Sequence, residues 1–246
     1  MRIFHTVGQY ILFLGKVLTR PQRWSIFYRE VIKEMESLGI NSIGIVAIIS
    51  AFMGAVITIQ TAYNTENPFL PAYLIGLAAR DSILLEFSST IVALILAGKV
   101  GSNIASEIGT MRVTEQIDAL EIMGVNPANF LALPKITAAV LFNPFLCILS
   151  IAIGITGGWA VGVFTGVVTT QDYIDGILYV FYPYYITYGI IKTVVFAFII
   201  TSISAFYGYY VEGGSIEVGR SSTKAVVFSS VMILLFNLIL TQLLLS

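Results

Sequence analysis

The chain has 246 residues, 57% of them hydrophobic and 11% charged, with a mean hydropathy of +0.89. Soluble domains carry roughly 25% charged residues, so this composition leaves little room for one and makes lipid the solvent. Fourteen acidic against thirteen basic residues give a net charge of −1, which provides no basic field for nucleic acid. One cysteine, Cys147, excludes an internal disulfide, and one histidine, His5, excludes a His-rich metal cluster. Cys147 reads as a small buried hydrophobe and His5 as a solvated residue in a short polar tip. The early apolar run Tyr10–Leu14 is followed by Lys16 and Arg20 rather than by a small-residue cleavage site, so no cleavable signal is expected.

In chain order, the first element is amphipathic. Trp24, Phe27, Tyr28, Val31, Ile32, Met35 and Leu38 fall at helical spacing, while Arg23, Arg29, Glu30, Lys33, Glu34 and Glu36 take the other face. Pro21 suits its start and Gly39 its end, and just before a membrane span such a helix is expected to lie in the headgroup plane. The first span is Gly39–Thr65, 27 residues without charge, against the ~20 needed to cross ~30 Å of hydrocarbon. The second must start near Ser82 and run past Lys99, because only the 12 residues Phe87–Gly98 are free of charge. Ile136–Gln171 has 36 uncharged residues, with Pro144 as a candidate kink. Thr193–Val211 follows, bracketed by Tyr182, Tyr184, Tyr185 and Tyr188 and by Phe206, Tyr207, Tyr209 and Tyr210. Tyr188 and Tyr210 lie 22 residues, or ~33 Å, apart, as two interfacial belts would. Ala225–Ser246 is the last, at 22 residues.

The expected fold is therefore an all-α integral membrane protein. An N-terminal interfacial segment over residues 1–38 precedes a transmembrane domain over 39–246 of about five helices. With these spans, eleven of the thirteen basic residues lie on one side, Lys135 among them, while Arg80 lies opposite and Lys192 within a span. The positive-inside rule then puts the N-terminus in the cytoplasm and the C-terminus outside.

Gly154, Gly158, Gly162 and Gly166 make three consecutive G-x-x-x-G steps, which favour close helix packing within or between subunits. The most polar later stretch runs from Thr110 to Gly124. There Val113, Ile117, Leu120 and Met123 share a face, Thr110 caps the start, and Gly124 and Pro127 end it. This short cytoplasmic helix between spans two and three reads equally well as a solvated connector or as a docking helix. There is no phosphate-binding loop, nucleophile elbow or H-E-x-x-H motif, so catalytic residues are not expected and any ATP must be hydrolysed by another chain. Lys192 is the only charge deep in a span. Its long stem could snorkel to the headgroups. Intramembrane charges usually face an interior and mark a pathway, however, and Glu86 is the nearest acid in depth.

The segment Glu107-Ile-Gly-Thr-Met-Arg-Val-Thr-Glu-Gln-Ile-Asp-Ala-Leu-Glu-Ile-Met-Gly-Val-Asn-Pro127, with Ala97-Gly98-Lys99-Val100-Gly101 before it, resembles the signature of the MlaE (YrbE-type) permease family. Ile191-Lys192-Thr193-Val194-Val195-Phe196 and the stretch from Gly213-Gly214 through Gly219-Arg220 to Val227 resemble two further segments of that family. The departures are a missing proline after Glu86, Asn126 where Asp is usual, and Glu217 where a small residue is usual.

The resemblance implies a homodimeric ABC-transporter permease with two cytoplasmic ATPase subunits and a periplasmic MCE-domain partner. It would move phospholipids or related lipids at the inner membrane and contribute to outer-membrane lipid homeostasis. Glu107, Gly109, Thr110, Met111, Arg112, Thr114, Glu115, Gln116, Asp118 and Ala119 would form the ATPase-coupling segment. Gly213, Gly214, Gly219 and Arg220 would belong to a cytoplasmic loop motif. From its depth, independently of the resemblance, Lys192 is expected to face the lipid cavity, where it could pair with Glu86 or meet a phospholipid phosphate. ATP and Mg would be bound by the partner, with no cofactor or metal in this chain.

A secondary transporter would show internal repeats and several intramembrane charges, and a lipid-modifying enzyme a catalytic cluster. A non-transport membrane scaffold is the remaining alternative. The topology is directly checkable: a reporter fused after Ser246 is expected to be active only outside the cytoplasm, and cytoplasmic activity there would require an even number of spans.

Overall fold

The structure, a computed structural model, describes residues 2–21, 23–65 and 70–245. Among the described residues all regular structure is helical. The elements are α1 (Arg2–Val17), α2 (Trp24–Glu34), α3 (Ile43–Asn64), α4 (Tyr73–Ser82), α5 (Val92–Leu96) and α6 (Ser102–Val113), then α7 (Gln116–Ile122), α8 (Pro127–Phe164), α9 (Thr170–Leu178), α10 (Tyr184–Tyr209) and α11 (Ser215–Leu245). π-helical stretches at Met35–Gly39, Ile83–Ile91 and Ala97–Gly101 and a 3-10 turn at Ile40–Ser42 keep the chain helical from α2 to α3 and from α4 to α6. Among the described residues, five helical runs are long and apolar enough to cross a membrane: Trp24–Asn64, Tyr73–Val113, Pro127–Phe164, Tyr184–Tyr209 and Ser215–Leu245.

These runs exceed the charge-free segments for identifiable reasons. Gly39 does not end a helix. It is a point of close approach, where an added Cβ would lie 2.4 Å from a ring carbon of Phe142. The second run begins at Tyr73 rather than near Ser82, because Arg80 is buried with its charge satisfied. The third begins at Pro127 and passes through Pro134 and Pro144 as one helix. It ends at Phe164, so Gly166 lies beyond it in a turn with φ +73°, and only Gly154, Gly158 and Gly162 share the helix. In the fourth run Tyr188 is fully buried rather than part of an interfacial belt. Two helices, α1 and α9, were not legible as elements in the sequence pattern.

The chain gathers into two compact units, one of Met1–Asn41, Ala93–Asn143 and Val194–Ser246 and the other of Ser42–Val92 and Pro144–Thr193. In the first, α1 buries Phe13 and Val17, with Phe13 packed on the rings of Phe206 and Tyr209 at 5.9 and 5.3 Å. Asn129 closes the end of α1 by donating to the carbonyls of Val17 and Thr19, both at 2.7 Å. The hydroxyl of Ser222 on α11 donates to the Ser102 carbonyl of α6 at 3.2 Å.

In the second unit small residues let backbones touch. A Cβ on Gly54 of α3 would sit 1.9 Å from the Gly154 carbonyl oxygen of α8, and Ser50 hydrogen-bonds Ser150 at 2.8 Å one turn away. The glycine steps therefore pack α8 on α3 within the chain. Helices α4 and α9 meet in the same way, through Gly76 and Gly176. Arg80 then fixes the end of α9, donating to the carbonyls of Ile177 and Tyr179 at 2.8 Å each and pairing with Asp81 at 2.8 Å.

Gly54→Ala is expected to destabilise the protein by about 1–3 kcal/mol or to prevent its accumulation, because neither backbone can yield to the added methyl. Gly44→Ala, on the same helix with nothing within 4 Å of the added Cβ, is the control and should leave the thermal unfolding midpoint in detergent unchanged or raised.

Candidate functional site

The Thr110–Gly124 segment is not one helix. α6 continues to Val113, Glu115 adopts a left-handed conformation at φ 60°, and α7 starts at Gln116. Thr110 accordingly does not cap: its hydroxyl donates back to the Ser106 carbonyl at 2.7 Å, inside α6. Gly124, at φ +74°, does end the segment. Of the implied coupling residues, Glu107, Gly109, Thr110, Met111 and Arg112 lie on α6, Thr114 and Glu115 in the turn, and Gln116, Asp118 and Ala119 on α7.

Internal contacts fix the turn. Arg112 pairs with Asp118 at 2.5 Å, Tyr209 donates to Glu121 at 3.2 Å, and Ile117 is fully buried. The apolar face expected from spacing is only partly inward, since Met123 is 67% exposed and neighbouring Ile122 is 87% exposed. The outward surface is thus Thr114, Glu115, Gln116, Ala119, Glu121, Ile122, Met123 and Gly124. A cleft of about 370 Å³ opens beside it, with Met123, Asn126 and Phe130 on one side and Arg20, Arg23 and Phe27 on the other. Asn126 donates to the Lys16 carbonyl at 3.0 Å, a bond that an ionised aspartate at this position could not make.

The first turn of α11, which follows the glycine-containing loop, packs against α6. Gly213 sits at φ +111°, and an added Cβ on Gly109 would lie 3.2 Å from Val218. Arg220 pairs with Glu217 at 2.6 Å, while Gly214 and Gly219 have open space around them.

Lys192 has no exposed surface. Its ammonium donates to Glu86 Oε1 at 3.0 Å, to the Leu85 carbonyl at 3.1 Å and to the Tyr188 hydroxyl at 3.1 Å, and Thr90 donates to Glu86 Oε2 at 3.0 Å. Leu85, Glu86 and Thr90 all lie in the π-helical stretch Ile83–Ile91, a distortion frequent at functional sites. Glu86 is the accessible member of the pair, its side chain 41% exposed. Tyr188 escaped the sequence reading as a partner, although its i−4 spacing from Lys192 is the signal that could have found it. Lys135 was read only as a flanking charge, yet it is 3% exposed and binds two carboxylates.

A family model described as Permease MlaE matches residues 31–243. Among curated proteins, the chain is 35% identical over 241 residues to the intermembrane phospholipid transport system permease protein MlaE of Haemophilus influenzae, covering 97% of this chain and 91% of that one. It is 35% identical over 243 residues to a probable ABC transporter permease protein of Rickettsia bellii, covering 99% and 93%. It is also 31% identical over 228 residues to the chloroplastic protein TRIGALACTOSYLDIACYLGLYCEROL 1 of Arabidopsis thaliana, covering 93% of this chain and 65% of that one.

The Lys192–Glu86 pair makes an asymmetric prediction for stability. Glu86→Ala strands a buried ammonium, whereas Lys192→Met removes the charge altogether, so the first should lower the thermal midpoint more than the second. Equal effects would show that the ammonium is better solvated than its burial implies.

Proposed function

The chain belongs to the MlaE family of ABC-transporter permeases, and from that premise we propose that it passes phospholipids or related lipids between the inner membrane and a periplasmic MCE-domain protein. The observation that carries the reading is similarity over nearly the whole chain to a protein named as an intermembrane phospholipid transport permease. The five long apolar helices make it a multi-pass membrane protein. In the proposed assembly two copies pair, each receiving one cytoplasmic ATPase subunit that binds ATP and Mg. The N-terminus is cytoplasmic, following the distribution of basic residues, and the C-terminus is periplasmic.

The site divides the work. The α6–α7 turn offers the ATPase a mixed surface, with Ile122 and Met123 as apolar anchors and Glu115 as a charge at their edge. Lys192 and Glu86 provide the polar point in an apolar surrounding that a headgroup needs. A lipid phosphate would exchange for Glu86 at the ammonium, which the accessibility of the carboxylate favours.

Ile122→Glu combined with Glu115→Lys is expected to abolish co-purification of the ATPase while the permease still reaches the membrane. Lys192→Ala should retain the ATPase and lose lipid transfer between vesicles and the MCE partner, with Lys192→Arg keeping part of it. Full transfer by Lys192→Ala would remove the pair from the lipid path, and lipid mass spectrometry of the purified complex would name the cargo.

A further inference from the structure

We propose that Lys135 is a positioning residue that relays docking at the α6–α7 turn to helix α2; the proposal rests on the ABC-permease reading of that turn. Its ammonium lies 2.6 Å from Glu34 Oε1 and 2.8 Å from Glu107 Oε2. Glu34 is the last residue of α2, Glu107 lies on α6 ahead of the turn, and Lys135 itself lies on α8, which begins just after α7. One side chain therefore ties the chain entering the docking segment, the chain leaving it, and the amphipathic helix.

The two arms are unequal. The Glu34 side chain is 12% exposed and that of Glu107 47% exposed, while the lysine side chain is 4% exposed. Coulomb attraction is strongest where water is excluded, so the Glu34 arm is the firm one and the Glu107 arm the yielding one. A displacement of α6 imposed by a docked partner loosens the Glu107 contact first and leaves Lys135 moving with α2. A lysine serving only as a structural ion pair would tie these helices without affecting how hydrolysis is used, and the ratio of lipid transferred to ATP hydrolysed separates the two roles.

The test uses the full complex of permease, ATPase and MCE protein in nanodiscs. Lys135→Met and the double variant Lys135→Met, Glu34→Gln, which leaves no unpaired carboxylate against the firm arm, should keep the ATPase bound and hydrolysing. Lipid transferred per ATP should fall about tenfold, within the range of measured site-to-site couplings. Lys135→Arg should recover most of the ratio. Glu107→Gln, which removes only the wetter arm and is expected to fold, should lower the ratio in the same direction. An unchanged ratio in the double variant and in Glu107→Gln overturns the relay, as does a proportional fall of hydrolysis and transfer together. If the wild-type chain captures no ATPase at all, the ABC-permease reading fails and the relay falls with it, an outcome visible before any variant is made.

Discussion

An ammonium with no exposed surface in a chain whose solvent is lipid must find every partner inside the protein. Leaving such a charge unpaired costs several kcal/mol even after local relaxation. A lysine has three N–H donors, and Lys192 meets three acceptors: the Glu86 carboxylate, the Leu85 carbonyl and the Tyr188 hydroxyl. That requirement sets the register of α10 against the stretch Ile83–Ile91, because a one-residue slide would carry the lysine off both the carboxylate and the carbonyl. Both partners lie in the nine-residue π-helical stretch Ile83–Ile91. An ordinary α-helical course would rotate Glu86 and the Leu85 carbonyl relative to each other.

Holding that register demands rigid surroundings, and in this unit rigidity comes from small residues rather than large ones. Lipid tails are as apolar as leucine, so helices gain little from burying bulk against each other and gain more from close backbone approach. Gly54 against Gly154, and Gly76 and Gly176 across the α4–α9 crossing, bring carbonyls to distances that any side chain would block. Arg80 completes the frame by occupying the carbonyls at the end of α9. A charge that reads from sequence as a break in a span is here what allows the helix to start nine residues earlier, at Tyr73 rather than Ser82.

The same logic separates what the amino-acid pattern made legible from what it did not. Apolar length identified the five spans, because crossing hydrocarbon is a requirement on composition. It misplaced their ends, because a helix stops where its backbone loses partners and not where its side chains acquire charge. Lys99 reaches the Asn41 carbonyl and Lys135 reaches Glu34 and Glu107, so neither interrupts a helix. α1 was missed because its buried face is narrow: Phe13 and Val17 are buried while Phe4, Ile11 and Leu12 face outward, which blurs the periodicity. α9 was missed because it is short and its stability comes from contacts with α4 that are distant in sequence. The Lys192–Glu86 pairing could be guessed from depth and Tyr188 from its i−4 spacing, but the Leu85 carbonyl could not, because it depends on the local backbone course.

The α6–α7 segment, the proposed docking site, shows how far a motif can be read. Its residues are recognisable, yet their arrangement depends on one backbone conformation that no pattern announces, the left-handed Glu115. A seven-residue helix is unstable by itself, so α7 must be held by its neighbours, and its charges do the holding. Asp118 is engaged by Arg112, Glu121 by Tyr209, and Glu107, upstream, by Lys135. The acidic residues that suggest an electrostatic docking face thus also brace the turn through internal partners, while Asp118 and Glu121 keep accessible surface. The large apolar side chains on the outward surface are Ile122 and Met123, with Glu115, Gln116, Ala119 and Glu121 beside them. In the proposed assembly, affinity for the ATPase rests on the apolar anchors, and the charged residues would govern how stiffly a push on those anchors is passed into α6 and α8. Coupling residues in such a turn need not touch the partner at all, and a substitution that spares binding can still uncouple it.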